Sequence, residues 1–222
     1  MKPVTRLSCA LAILILAQGT FSIPAQAGGY RKGTFFVSGG FNNPVGADNQ
    51  YFNTSGTFSF GGGRNVTDRF ALEVDYTHNW LALDPVVLDR AAADTSQISD
   101  SHASLWSVTL NGIYRFHPDS DIVPWLRFGG GYYKRTLQLT QTALFYYPPV
   151  WDPWWGWIDG GRGPGEAIVG QRDDAGLGVN VGAGIDFEIE NGASLFLETR
   201  YEHAFLDGVE SQIVPIMAGV RW

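Results

Sequence analysis

The sequence predicts an all-β chain folded as an eight-stranded antiparallel up-and-down transmembrane β-barrel, and three observations predict it. The 222 residues include 28 Gly, 14 Phe, 9 Tyr and 8 Trp, a composition suited to strands and tight turns rather than helices. Eight segments alternate with period two, each long enough for the ~9 to 11 residues of a tilted membrane-crossing strand. The links between them are short and long in turn.

The chain opens with Lys2 and Arg6, an apolar run from Cys9 to Ala17, Pro24, and then Ala25-Gln26-Ala27. These are the basic region, short apolar region and small-residue cleavage site of a secretory signal peptide, so residues 1–27 are expected to be removed and residues 28–222 to form the barrel domain. A membrane anchor needs about 20 apolar residues, roughly twice this run. Cys9, the one cysteine, precedes the apolar run rather than ending it, so the mature chain is expected to have no thiol, disulfide or lipid anchor. Losing Lys2 and Arg6 takes 15 Lys and Arg to 13 against 22 Asp and Glu, moving the net charge from -7 to -9. So acidic a protein does not suit nucleic acid. No later segment approaches the ~18 consecutive apolar residues of a membrane helix, which leaves a closed barrel as the way to satisfy every backbone group in lipid.

The elements follow in order. Segments 33 to 41 (GTFFVSGGF) and 56 to 64 (GTFSFGGGR) are glycine-rich and aromatic. The third, 70 to 80 (FALEVDYTHNW), alternates most cleanly: Phe70, Leu72, Val74, Tyr76 and Trp80 share one face, and Ala71, Glu73, Asp75, Thr77 and Asn79 share the other. The fourth and fifth are 104 to 116 (SLWSVTLNGIYRF) and 122 to 136 (IVPWLRFGGGYYKRT). In the sixth, 176 to 188 (GLGVNVGAGIDFE), Leu177, Val179, Val181, Ala183, Ile185 and Phe187 face away from Gly178, Asn180, Gly182, Gly184, Asp186 and Glu188. The seventh is 193 to 205 (ASLFLETRYEHAF), and the eighth, 213 to 222 (IVPIMAGVRW), sets Val214, Ile216, Ala218, Val220 and Trp222 on one side.

A soluble β-sandwich also alternates, so the links carry the membrane assignment. Short links at 65 to 68, 117 to 121 and 189 to 192 interleave with longer ones at 42 to 55, 81 to 103, 137 to 175 and a lesser 206 to 212. Short periplasmic turns and long external loops are the layout of outer-membrane barrels, with both mature termini periplasmic. Phe70, Phe116, Phe187 and Trp222 fall at the short-turn ends, and Tyr76, Trp80, Trp106, Tyr132 and Tyr201 toward the long-loop ends, as two aromatic girdles. The polar face carries Glu73, Asp75, Arg115, Arg127, Arg135, Asp186, Glu188, Glu198, Arg200, Glu202 and Arg221. In so narrow a barrel these charges are expected to pair and fill the lumen.

The signal peptide, the opening GTFFVSGGF, the strands GLGVNVGAGIDF and SLFLETRYEH, and the ending VPIMAGVRW together resemble the small outer-membrane β-barrel family. That family includes the OmpA transmembrane domain, the OmpX and Ail proteins and the opacity adhesins, and the resemblance spans the whole mature chain. It implies that Trp222, a terminal aromatic, is read by the barrel-assembly machinery. It also implies contact with outer-membrane lipid and lipopolysaccharide. Some OmpA-like proteins continue into a peptidoglycan-binding domain; the sequence stops at Trp222, so that anchor is not expected.

GLGVNVGAG imitates a dinucleotide-binding loop, but it is itself strand-periodic and opens no helix, so small lumen-facing residues are the better reading and no cofactor is expected. His203 in RYEHAF resembles the histidine of lipid A deacylases, which a serine follows two residues later; here that position is Phe205, so no hydroxyl stands ready as nucleophile. Ser211 with His203 and Glu202 is the alternative set, which adjacency alone does not assemble. His78, His102, His117 and His203 are scattered and lack metal-ligand spacing.

The link 137 to 175 is the unusual one. Its FYYPPVWDPWWGW stretch gathers Phe145, Tyr146, Tyr147, Trp151, Trp154, Trp155 and Trp157 around three prolines. Rigid aromatics suit recognition of a host or surface ligand. Alternatively these rings lie in the membrane interface, or the fifth and sixth strands continue above it. The expected role is a non-enzymatic surface or envelope protein, with a narrow ion channel and a lipid A-modifying enzyme as alternatives.

Overall fold

The computed structural model describes residues 33–84, 86, 98–158, 160–189 and 192–222. The expected signal peptide, residues 1–27, lies outside them.

Strand β1 (Gly33–Pro44) is followed by a 3₁₀ turn (Asp48–Gln50), the two-residue β2 (Phe52–Asn53), β3 (Ser55–Asn65), β4 (Phe70–Leu83), β5 (Ile98–Arg115) and β6 (Ile122–Tyr147). β7 (Val150–Asp152) and β8 (Gly156–Ile158) pair with each other, and β9 (Gly161–Glu188), β10 (Ser194–Leu206) and β11 (Val209–Arg221) complete the fold. Eight strands form one antiparallel ring in the order β1-β3-β4-β5-β6-β9-β10-β11. It closes where β1 meets β11, from Phe36↔Arg221 to Pro44↔Ile213. Closure removes the sheet edge, the condition that lipid imposes on strands.

Local chemistry sets the turns. At the first short link, Thr67 Oγ1 accepts from the backbone N–H of Phe70 at 3.0 Å. His117 opens the second in the left-handed region at φ 51°. The expected link 206 to 212 proves tighter: Leu206 pairs with Val209 across Asp207-Gly208, and Gly208 takes φ 79°, which is open to glycine without steric cost.

The side-chain distribution is inside-out for a soluble protein. On β4, Leu72, Val74 and Trp80 are exposed, while Glu73, Asp75, Thr77 and Asn79 are buried. β9 repeats the pattern, with Leu177, Val179 and Val181 exposed and Asn180 and Asp186 buried. Burying charges while exposing aliphatic side chains is unfavourable in water and favourable in lipid. The outer face also bears an aromatic ladder across four strands, Phe60, Tyr76, Trp106 and Tyr132, with successive centroids 5.3, 6.3 and 5.6 Å apart.

The lumen is packed in layers. Phe36, Ala71, Ile113, Trp125 and Phe196 form an apolar layer toward the short turns. Phe52, Leu81, Ala103, Leu105, Tyr133, Ala204, Leu206 and Ile213 form another toward the long loops. Most of the charged side chains lie between, while Asp186 and Arg221 lie at the level of the lower layer.

Candidate functional site

Alternation on β4, β6, β10 and β11 brings Glu73, Asp75, Arg127, Glu198, Arg200 and Arg221 to the barrel axis. Arg127 meets Glu73 at 3.1 Å, Asp75 at 2.5 Å and Glu198 at 3.2 Å, all with fully buried side chains. Arg200 holds Asp75 at 3.0 Å, Glu198 at 2.9 Å and Glu202 at 3.5 Å. Arg221 reaches Asp186 at 2.6 Å and Glu73 at 3.7 Å. Asp75 also accepts from Thr109 and, at 2.6 Å, from Asn111. The guanidinium of Arg221 lies 4.9 Å from the Phe196 ring and 5.1 Å from Trp125, tying the ionic layer to the aromatic one below.

Two lumen aromatics sit where glycine makes room. A Cβ on Gly184 would lie 2.2 Å from the Trp125 ring, and one on Gly178 would lie 2.7 Å from Tyr133. Trp125 Nε1 donates to Asp186 at 2.8 Å. Phe36, Trp125, Tyr133 and Phe196 did not stand out in the sequence as lumen residues; the two-residue spacing from Trp125 to Arg127 is the signal that places them.

Arg135 stands apart from the central layer. It bridges Asp48 at 3.5 Å and Asp174 at 3.4 Å at the long-loop mouth. Asp48, buried in the first long link, accepts from Ser211 Oγ at 2.5 Å and from the Gln212 N–H at 2.8 Å. These bonds fold that link over the mouth and bring Phe52 onto the upper apolar layer. Just outside, the exposed Asp173 carboxyl is held below its usual range by a hydrogen bond from Thr136 and by Lys134, 3.3 Å away.

Two charges expected in the lumen network lie elsewhere. Glu188, the last residue of β9 and still paired with Ser194 of β10, is exposed at the short-turn rim and forms no ion pair among the described residues. Arg115 is half-buried at the short-turn mouth and donates to Asn65 at 2.8 Å rather than joining the central layer. His203 points outward with Tyr201 and Phe205 and pairs with Glu210 at 3.2 Å, whereas Glu202 and Ser211 are buried on the lumen side. Strand alternation therefore separates His203 from the other two groups of the alternative catalytic set. Trp222 extends the barrel seam, its backbone exchanging hydrogen bonds of 2.8 and 2.9 Å with Phe35, and its ring lies 5.1 Å from that of Phe35 in an edge-on contact.

Most of the 137 to 175 link is strand. Pairing of β6 with β9 runs without loss of partners from Ile122↔Phe187 to Tyr147↔Gly161, apart from one irregularity at Leu139/Thr140. β10 accompanies β9 only as far as Leu206↔Gly176, and β5 accompanies β6 only to Gln141. Beyond those points the hairpin stands alone among the described residues. At its tip, Trp151 pairs with Trp157, and the Asp152 carboxylate accepts from the N–H groups of Trp154 at 2.8 Å and Trp155 at 3.0 Å. Trp154 is 90% exposed, Trp155 83%, Trp157 72% and Tyr146 70%. Tyr147 contributes the last backbone pair of the stem.

Comparison with known proteins gives a consistent picture. The family model described as the outer membrane protein beta-barrel domain matches residues 13–221. No curated protein sequence matches. Among solved structures, Neisserial surface protein A (NspA) is similar at 15% identity with a TM-score of 0.55, covering 85% of this chain and 95% of that one. A major outer membrane protein from Thermus thermophilus is similar at 9% identity with a TM-score of 0.50, covering 86% of this chain and 98% of that one. At these identities the likeness is one of fold.

Proposed function

The chain belongs to the outer membrane protein beta-barrel domain family of bacterial outer-membrane proteins, and we propose that it is a non-enzymatic surface protein of that membrane. In this reading the lumen is a structural plug and the β6–β9 hairpin is the working part. The carrying observation is the contrast between the two. The lumen is filled by two apolar layers and paired charges, while the hairpin continues past every other strand and ends in exposed tryptophans. An enzyme of lipid A needs a hydroxyl beside a histidine at the outer rim; Phe205 stands there instead, 4.3 Å from the His203 ring. Trp222 serves as the assembly signal, and the aliphatic band contacts outer-membrane lipid and lipopolysaccharide.

The test is made on intact cells producing the protein with Trp155→Cys. A membrane-impermeant maleimide is expected to label the tip, and the lipid A mass spectrum is expected to match that of cells without the protein. An unlabelled tip, or a lipid A mass change that His203→Ala abolishes, overturns the reading.

A further inference from the structure

We propose that the hairpin tip inserts into the interface of a lipid bilayer facing the cell, with an apposed membrane rather than a sugar as its ligand. This rests on the surface reading above and goes on to name the ligand. Residues 148–158 read PPVWDPWWGWI, and Asp152 is their single charged side chain. Its Oδ1 is already engaged by the N–H groups of Trp154 and Trp155. A sugar platform needs side-chain donors and acceptors around its stacking ring to read hydroxyls, and beyond the indole N–H groups and this one carboxylate residues 148–158 offer none, Tyr146 and Arg162 lying below them on the stem. A bilayer interface asks for the opposite, bulky amphipathic indoles with few charges, and tryptophan is enriched there.

Two further observations fit. The turn is set in advance, by the Asp152 bonds and by Gly156 at φ 76°, so little conformational freedom is lost when Trp154 and Trp155 enter a new phase. The stem is long: from Tyr133↔Gly176 at the rim to Tyr147↔Gly161, about 14 residues at ~3.3 Å give a reach of roughly 45 Å. That carries the tip past the aromatic girdle of its own barrel.

The full-length barrel is reconstituted in nanodiscs and mixed with vesicles of zwitterionic phosphatidylcholine brominated on the acyl chains. The expected result is co-flotation with quenched tryptophan fluorescence, unchanged when salt rises from about 0.1 to 1 M, a range that screens charge attraction. Trp154→Ser/Trp155→Ser is expected to weaken vesicle binding by roughly a hundredfold, from the aromatic area removed from water. The heat-modifiable gel shift of this variant is expected to match the parent, which shows that the barrel has folded. Absence of co-flotation overturns the proposal. So does quenching that arises only when the brominated lipid is in the nanodisc, meaning the hairpin lies on its own bilayer. Binding of soluble oligosaccharide with no response to vesicles also overturns it. A tip labelled on intact cells that ignores vesicles sinks this inference alone, whereas an unlabelled tip sinks the surface reading itself.

Discussion

Arg127 has carboxylates of Glu73, Asp75 and Glu198 within 3.2 Å. Arg127→Met leaves three buried negative groups short of a partner and is expected to destabilise the barrel by about 3–5 kcal/mol, read as a lower denaturant midpoint in detergent. The layer is asymmetric, because among the described residues Glu73, Asp75, Asp186, Glu198 and Glu202 pair with only Arg127, Arg200 and Arg221. Glu202→Gln therefore removes a charge already in excess and is expected to change the midpoint little; equal losses from both substitutions would refute this charge accounting. Gly184→Ala presses a methyl group into Trp125, which Asp186 holds in place, and is expected to cost about 1–3 kcal/mol. At this scale the charged residues were largely legible, since period two fixes a face. The inward aromatics were not, because a phenylalanine or tryptophan in so aromatic a chain suits either face. Asp48 was hidden for another reason: its partner Ser211 is 163 residues away in sequence.

Among the elements, the β6–β9 hairpin takes the form in which the fifth and sixth strands continue above the barrel, past the bounds that periodicity gave them. Segments 122 to 136 and 176 to 188 are the barrel-bound parts of strands that run to Tyr147 and begin at Gly161. The intervening residues break alternation with Pro164 and a cluster of glycines, so periodicity faded before the strand did. Cross-strand pairing sustains them, with Lys134 near Asp173 and Arg135 near Asp174 at the base of the stem. Past Gln141, among the described residues, β6 pairs with β9 only, so the distal hairpin lends the ring no hydrogen bonds. Replacing residues 143–165 with an Asn-Gly turn is expected to leave the barrel's denaturant midpoint within about 0.5 kcal/mol of the parent. A large loss of stability, or failure of the gel shift, would mean that the hairpin helps to build the barrel rather than projecting from it.

For the whole molecule, the layered lumen bears on whether an ion can cross. Mixed charges taken alone fit a narrow channel as well as a plug, and the sequence left both readings open. Apolar layers on either side favour the plug, because an ion leaving the central carboxylates meets Trp125, Phe36 and Phe196 on one side and Tyr133, Leu105 and Ile213 on the other. The charges that reach the level of these layers are paired, Arg221 with Asp186 below and Arg135 with Asp48 and Asp174 above, and the Asp48 clamp adds a lid at the outer mouth. The intact barrel is accordingly expected to show no steady conductance in planar bilayers. Arg127→Met alone is expected to remain closed, since both apolar layers survive it. Opening requires both layers to be trimmed, as in Phe36→Ala/Trp125→Ala combined with Tyr133→Ala/Ile213→Ala, scored only if the gel shift shows a folded barrel. Steady conductance from the unaltered protein would overturn the plug and make the charged layer a conduction path. Conductance from the lower pair of substitutions alone would show that the upper layer, with the lid that Asp48 holds, is permeable.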